Sequence, residues 1–110
     1  MSEKERGERR RFPRIKTDQL VLVKKVEDEP EKAVARTVDV GLGGCRFVND
    51  YRMGKDSVIS LAIILENSFI EVVGKILYEL PRDDGKYDVG VEFAVIGKGD
   101  KERLLRLTES

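Results

Sequence analysis

The chain has 110 residues, the size of one domain. Its 21 basic and 21 acidic side chains cancel, which disfavours a protein that coats DNA or membranes non-specifically. It has no histidine and one cysteine, Cys45, which removes the usual neutral-pH general base, any internal disulfide and any cysteine-based metal site. No signal-peptide-like or bilayer-spanning apolar run occurs, so a cytoplasmic location without membrane insertion is expected.

Residues 1–8 (MSEKERGE) read as a mobile polar leader, because none of them is suited to burial. Residues 9–16 (RRRFPRIK) form a basic arm. Seven basic residues (Lys4, Arg6, Arg9, Arg10, Arg11, Arg14, Lys16) stand against three acidic ones in the first sixteen, so the arm is positive and the body slightly acidic. Pro13 steers Phe12 away from helix, so an extended or turned arm is expected. The remainder reads as strands. Gln19–Val26 is rich in β-branched residues, and Ala33–Val40 follows an acidic turn. A glycine turn at Gly41–Gly44 leads into Cys45–Val48, and residues 49–56 form a loop. Val58–Leu65 places Ile59, Leu61, Ile63 and Leu65 on one face. Asn67-Ser68 marks a hairpin into Phe69–Leu80, with Ile70, Val72, Ile76 and Tyr78 expected to share a face. Asp84-Gly85 centres the next turn, and Tyr87, Val89, Val91 and Phe93 alternate through the last strand. Asp100 is the expected N-cap of a short helix through Leu107, whose Leu104 and Leu107 would plug one end of a barrel. The architecture expected is all-β, an antiparallel barrel with a short C-terminal helix.

Two segments carry chemistry. In Arg10-Arg11-Phe12-Pro13-Arg14, permanently charged guanidinium forks match phosphate oxygens in pairs and also match guanine O6 and N7. Arg10 and Arg14 lie roughly 13 Å apart in extended chain, so the arm can contact a small nucleotide from two sides. In Asp39-Val40-Gly41-Leu42-Gly43-Gly44, a carboxylate can accept from the N1–H and N2–H₂ edge of guanine. The glycines there permit close backbone approach and positive φ. Taken singly, a basic arm is more often a solvated tail and such a turn more often only a turn.

Together, an R-x-x-x-R arm before the first strand and a D-x-[SG]-x-x-G turn about 25 residues later resemble the PilZ domain family. A third match is Gly90-Val91-Glu92-Phe93, followed by the short helix. The resemblance covers residues 9–108 and implies a six-stranded antiparallel PilZ-type barrel spanning 9–110. It also implies a receptor for cyclic di-GMP, with no further cofactor. Arg10 and Arg14 would clasp phosphates and guanines, while Asp39, Gly41 and Gly44 would cradle a guanine. Arg9 flanks this motif, and its position, not the resemblance, offers a further phosphate contact against a solvated role. Ligand binding would order the arm and create a surface for a protein effector. The family pattern has serine where Gly41 stands. Losing that hydroxyl removes a neutral hydrogen bond of about 0.5–1.5 kcal/mol, or about 2- to 12-fold in affinity. The two arginines, at about 1.5–3 kcal/mol each, outweigh it by far. The alternative is a degenerate PilZ domain that acts as a nucleotide-independent adaptor.

Other residues are given blander roles. Arg11 reads as solvated, Cys45 as core, Glu92 as outward-facing surface, and Gly90 as relief for a barrel bend. Arg46 points away from Cys45, to the face that Asp39 would continue, with a surface role favoured over a ligand role. Tyr51 is a possible partner contact in its loop. Asp83-Asp84 is a turn without acid–base or metal partners. No catalytic constellation and no metal site are expected. Nucleic acid is disfavoured by the charge balance and by the seven aromatic residues.

Overall fold

A computed structural model describes residues 14–109 of the chain. Seven strands and one helix follow in order: β1 (Arg14–Lys16), β2 (Leu20–Val26), β3 (Glu29–Gly41), β4 (Gly44–Asn49), β5 (Val58–Ile64), β6 (Phe69–Pro81), β7 (Tyr87–Ile96) and α1 (Lys98–Glu109). All pairings are antiparallel. The order β3-β2-β5-β6-β7-β4 closes on itself through β4 and β3, giving a six-stranded barrel, and β1 adds to the C-terminal half of β3 beside β2. Closure leaves the six barrel strands with partners on both sides.

Strand alternation builds the core. Val21 and Val23 of β2, Ala33 and Ala35 of β3, Cys45 and Phe47 of β4, Ile59, Leu61 and Ile63 of β5, Ile70, Val72 and Ile76 of β6, and Val89 and Val91 of β7 form one buried cluster. Burying each large aliphatic side chain contributes about 1.5–3 kcal/mol. Cys45 is a core residue, as its alternation with Phe47 suggests. Leu104 is fully buried in the same cluster and Leu107 packs against it, so α1 does close one end of the barrel.

Three expectations need correction. The strands β3 and β6 run longer than the sequence indicates, because their ends continue into the 27–28 and 82–86 turns on ladder pairs such as Val26–Glu29 and Pro81–Tyr87. Asp100 is not the N-cap. Helix α1 starts two residues earlier, and its first bond runs from Lys101 N–H to the Gly97 carbonyl at 2.8 Å. Asp100 instead sits in the first turn, where a carboxylate suits the helix dipole. Its Oδ2 accepts the Glu71 N–H at 3.1 Å and its Oδ1 accepts Arg103 at 2.7 Å, latching the helix to β6. Tyr78 does not share a face with Ile76. The register slips between them, so Ile76 opposes buried Val91 while Tyr78 opposes Gly90 on the outer face. A β-bulge at Leu77 causes this reversal.

A second bulge decides where the acidic residue of the turn points. Ala33, Ala35 and Thr37 face inward in strict alternation, which carried on would bury Asp39. Thr37 opposes buried Phe47, but Asp39 opposes Arg46 and Val40 opposes buried Cys45, with the register shifting at Val38. The extra residue turns Asp39 to the outside and returns Val40 to the core.

Candidate functional site

The outer face beside this second bulge gathers the motif residues that the structure describes. β1 lies against β3 with Arg14 opposite Gly41, Ile15 opposite Val40 and Lys16 opposite Asp39. The root of the basic arm therefore runs on the strand next to the Asp39–Gly44 turn. Arg9 and Arg10 lie outside the described residues.

Across β3 on its other side stands Arg46 of β4. Its Nη2 is 3.2 Å from Asp39 Oδ2, with the Asp39 side chain 15% exposed and that of Arg46 36% exposed. Arg46 Nε is buried with no hydrogen-bond partner among the described residues. The pair leaves part of the guanidinium open to solvent. Sequence alternation correctly sends Arg46 outward. The sequence also raised a face shared with Asp39, but the 3.2 Å contact itself depends on the bulge.

The same row continues around the barrel. Arg46 opposes Gly90 of β7, and Gly90 opposes Tyr78 of β6. A Cβ at position 90 would clash with Cε2 and Cζ of Tyr78, so the glycine makes room for the aromatic ring over the strand. This explains Gly90 better than a barrel bend does. Four adjacent strands thus present a carboxylate, a guanidinium and an aromatic ring in sequence, spanning roughly 14 Å at the usual strand spacing. Tyr78 escaped the sequence reading because its position suggests the core.

The turn itself is built for close packing. A Cβ at Gly44 would strike the Val91 carbonyl oxygen, so this glycine is required by the approach of β4 to β7. The Gly43 carbonyl accepts the Phe93 N–H at 2.9 Å, which ties the turn to the end of the Gly90–Phe93 segment. Positive φ occurs among the described residues at Glu27, Gly54, Asp56 and Gly85, and so at none of the turn glycines. Gly44 serves close approach, and none of the three supplies left-handed backbone. Glu92 is exposed, as alternation indicates.

Chemically, the corner offers charge-assisted donors, one acceptor pair of oxygens and a stacking face. That set suits a flat, polar, anionic ligand. Among the described residues no group of His, Cys, Asp and Glu is placed to hold a metal ion. No described helix is long and apolar enough to cross a membrane. A groove of about 400 Å³ lined by Lys24, Lys25, Ser60, Glu71, Val73 and Val95 lies elsewhere and shares no lining residue with the corner.

Comparison with known proteins bears on the fold. No curated protein matches the chain in sequence. Among solved structures, the Bacillus subtilis inhibitor of motility MotI/DgrA superposes with a TM-score of 0.72 at 18% identity, covering 92% of this chain and 49% of that one. The K. pneumonia MrkH–c-di-GMP complex gives 0.72 at 15%, covering 88% and 49%. The PilZ domain of Escherichia coli YcgR with c-di-GMP gives 0.69 at 13%, covering 92% and 89%. The chain thus spans about half the length of MotI and MrkH but nearly all of the isolated YcgR domain. The family profile of the PilZ domain matches residues 8–110. With that profile running over almost every residue and the closed barrel to match, the chain belongs to the PilZ domain family.

Proposed function

We infer that this chain is a binding module for cyclic di-GMP, not an enzyme. The observation that carries the reading is the register of β1 on β3, in which Arg14 stands opposite Gly41 and Lys16 opposite Asp39. Membership of the PilZ family and the likeness to two c-di-GMP complexes support it.

In this reading Arg10 and Arg14 clasp phosphate and guanine, and Arg9 adds a phosphate contact. Asp39 accepts from the N1–H and N2–H₂ edge of a guanine beside Gly41, while Gly44 contributes by keeping the turn packed against β7. Arg46 holds the Asp39 carboxylate and adds its own exposed N–H groups to the ligand. Tyr78 supplies a face on which a second flat surface of the ligand stacks. Binding orders the arm, and the ordered arm presents a surface to a protein effector in the cytoplasm.

Calorimetric titration with cyclic di-GMP, with GMP as control, tests this. Stoichiometric binding that is lost in Arg10→Ala and Arg14→Ala is expected. A folded protein that gives no heat would instead favour the adaptor reading, which Gly41 in place of the family serine motivates.

A further inference from the structure

Thr37 is a buried polar residue, 4% exposed, that lies next to the bulge at Val38 and outside the ligand corner itself. It faces the place where the arm joins the barrel. β1 and β2 run along the same edge of β3 as one interrupted strand. Lys16 opposes Asp39 and Leu20 opposes Arg36. Three residues, Thr17 to Gln19, therefore face two, Thr37 and Val38. The surplus residue breaks the ladder there and leaves backbone groups that need other partners.

The Thr37 side chain provides them. Its Oγ1 accepts the Gln19 N–H at 2.9 Å and donates to the Thr17 carbonyl at 3.1 Å. Its own N–H donates to the Gln19 carbonyl at 2.9 Å, and Thr17 N–H donates to the Val38 carbonyl at 3.1 Å. A hydroxyl can donate and accept at once, and only such a group meets both needs at this point. Two residues further along β3 comes Asp39, and one residue before Thr17 comes Lys16, its register partner.

We propose that Thr37 is a positioning residue for the arm: its hydroxyl pins the joint between β1 and β2 and so fixes the register that sets Arg14 against Gly41 and Lys16 against Asp39. The inference deepens the cyclic di-GMP reading and rests on it for its effect on affinity. Without the pin, the root of the arm detaches from β3 more often, and ligand must gather the arm from a wider set of positions before the arginines engage.

The test compares the wild-type chain with Thr37→Val, which keeps the shape and loses the hydroxyl, and Thr37→Ser, which keeps the hydroxyl. Two quantities are read: amide hydrogen exchange of Thr17 against Ile63 and Ile70 in the barrel wall, without ligand, and affinity for cyclic di-GMP by calorimetry. Thr37→Val should speed exchange at Thr17 by about tenfold while Ile63 and Ile70 stay unchanged, and should weaken the ligand by about tenfold. Thr37→Ser should stay within about twofold of wild type in both. Unchanged Thr17 exchange, unchanged affinity despite faster Thr17 exchange, or faster exchange across the whole barrel would each overturn the proposal. Should Thr37→Val not fold, Thr37→Ala is judged by the same outcomes. A wild-type chain that does not bind cyclic di-GMP refutes the ligand reading instead, and Thr17 exchange alone then decides whether Thr37 pins the joint.

Discussion

Arg46→Ala separates a ligand role from a structural one. In the free protein the guanidinium meets Asp39 at 3.2 Å, with about a third of its side chain open to solvent. Two unit charges about 4 Å apart near a surface attract by about 4 kcal/mol, but solvent screening and side-chain entropy reduce the net to roughly 1 kcal/mol or less. Removing the pair should therefore lower unfolding stability by no more than about 1 kcal/mol, with an unchanged denaturant slope. The effect on ligand should be larger. One charge-assisted hydrogen bond is worth about 1.5–3 kcal/mol, so affinity for cyclic di-GMP should fall about 10- to 160-fold. Isothermal titration at low and moderate salt, alongside urea unfolding of the same samples, measures both quantities. If Arg46 only competed with guanine for the Asp39 carboxylate, its removal would free the acceptor. Equal or tighter binding by Arg46→Ala would thus refute the role assigned to it.

Tyr78→Ala should cost about 1–3 kcal/mol of stacking, seen as a 5- to 160-fold weaker titration with the barrel still folded. Gly44→Ala drives a methyl into the Val91 carbonyl and should lower stability by about 1–3 kcal/mol, read from the urea midpoint. Leu104→Ala opens a cavity at the barrel end and should lower it by about 2–5 kcal/mol in the same assay. The Asp84 carboxyl is held below its ordinary value of 3.8, first by the Lys86 N–H bonded to it and then by Arg82. A depressed pKa means that its contribution to stability is present above the unfolded value and fades as pH falls through the folded one. A carboxyl NMR titration should show Asp84 ionised to lower pH than a free aspartate, and Asp84→Asn should remove that acid-side slope from the stability profile.

Much of this protein was legible in the order of its residues. Apolar alternation in β5 and β7 specified inward and outward faces, because a strand's side chains alternate with period two and one face must leave water. Asn67-Ser68 and Asp84-Gly85 placed two hairpin turns, and the pairing of an arginine arm with Asp39-Val40-Gly41-Leu42-Gly43-Gly44 pointed to the family. The site needed the folded chain. Asp39 and Tyr78 both sit at positions that unbroken alternation would turn inward, and both face outward because one extra residue, Val38 or Leu77, slips the register against the neighbouring strand. A bulge arises from long-range pairing between strands whose partners lie far away in sequence, so no local pattern announces it. The meeting of Arg46 with Asp39, the Tyr78 ring over Gly90 and the Thr37 hydroxyl at the root of the arm all follow from those pairings, and for that reason only the tertiary structure decided them.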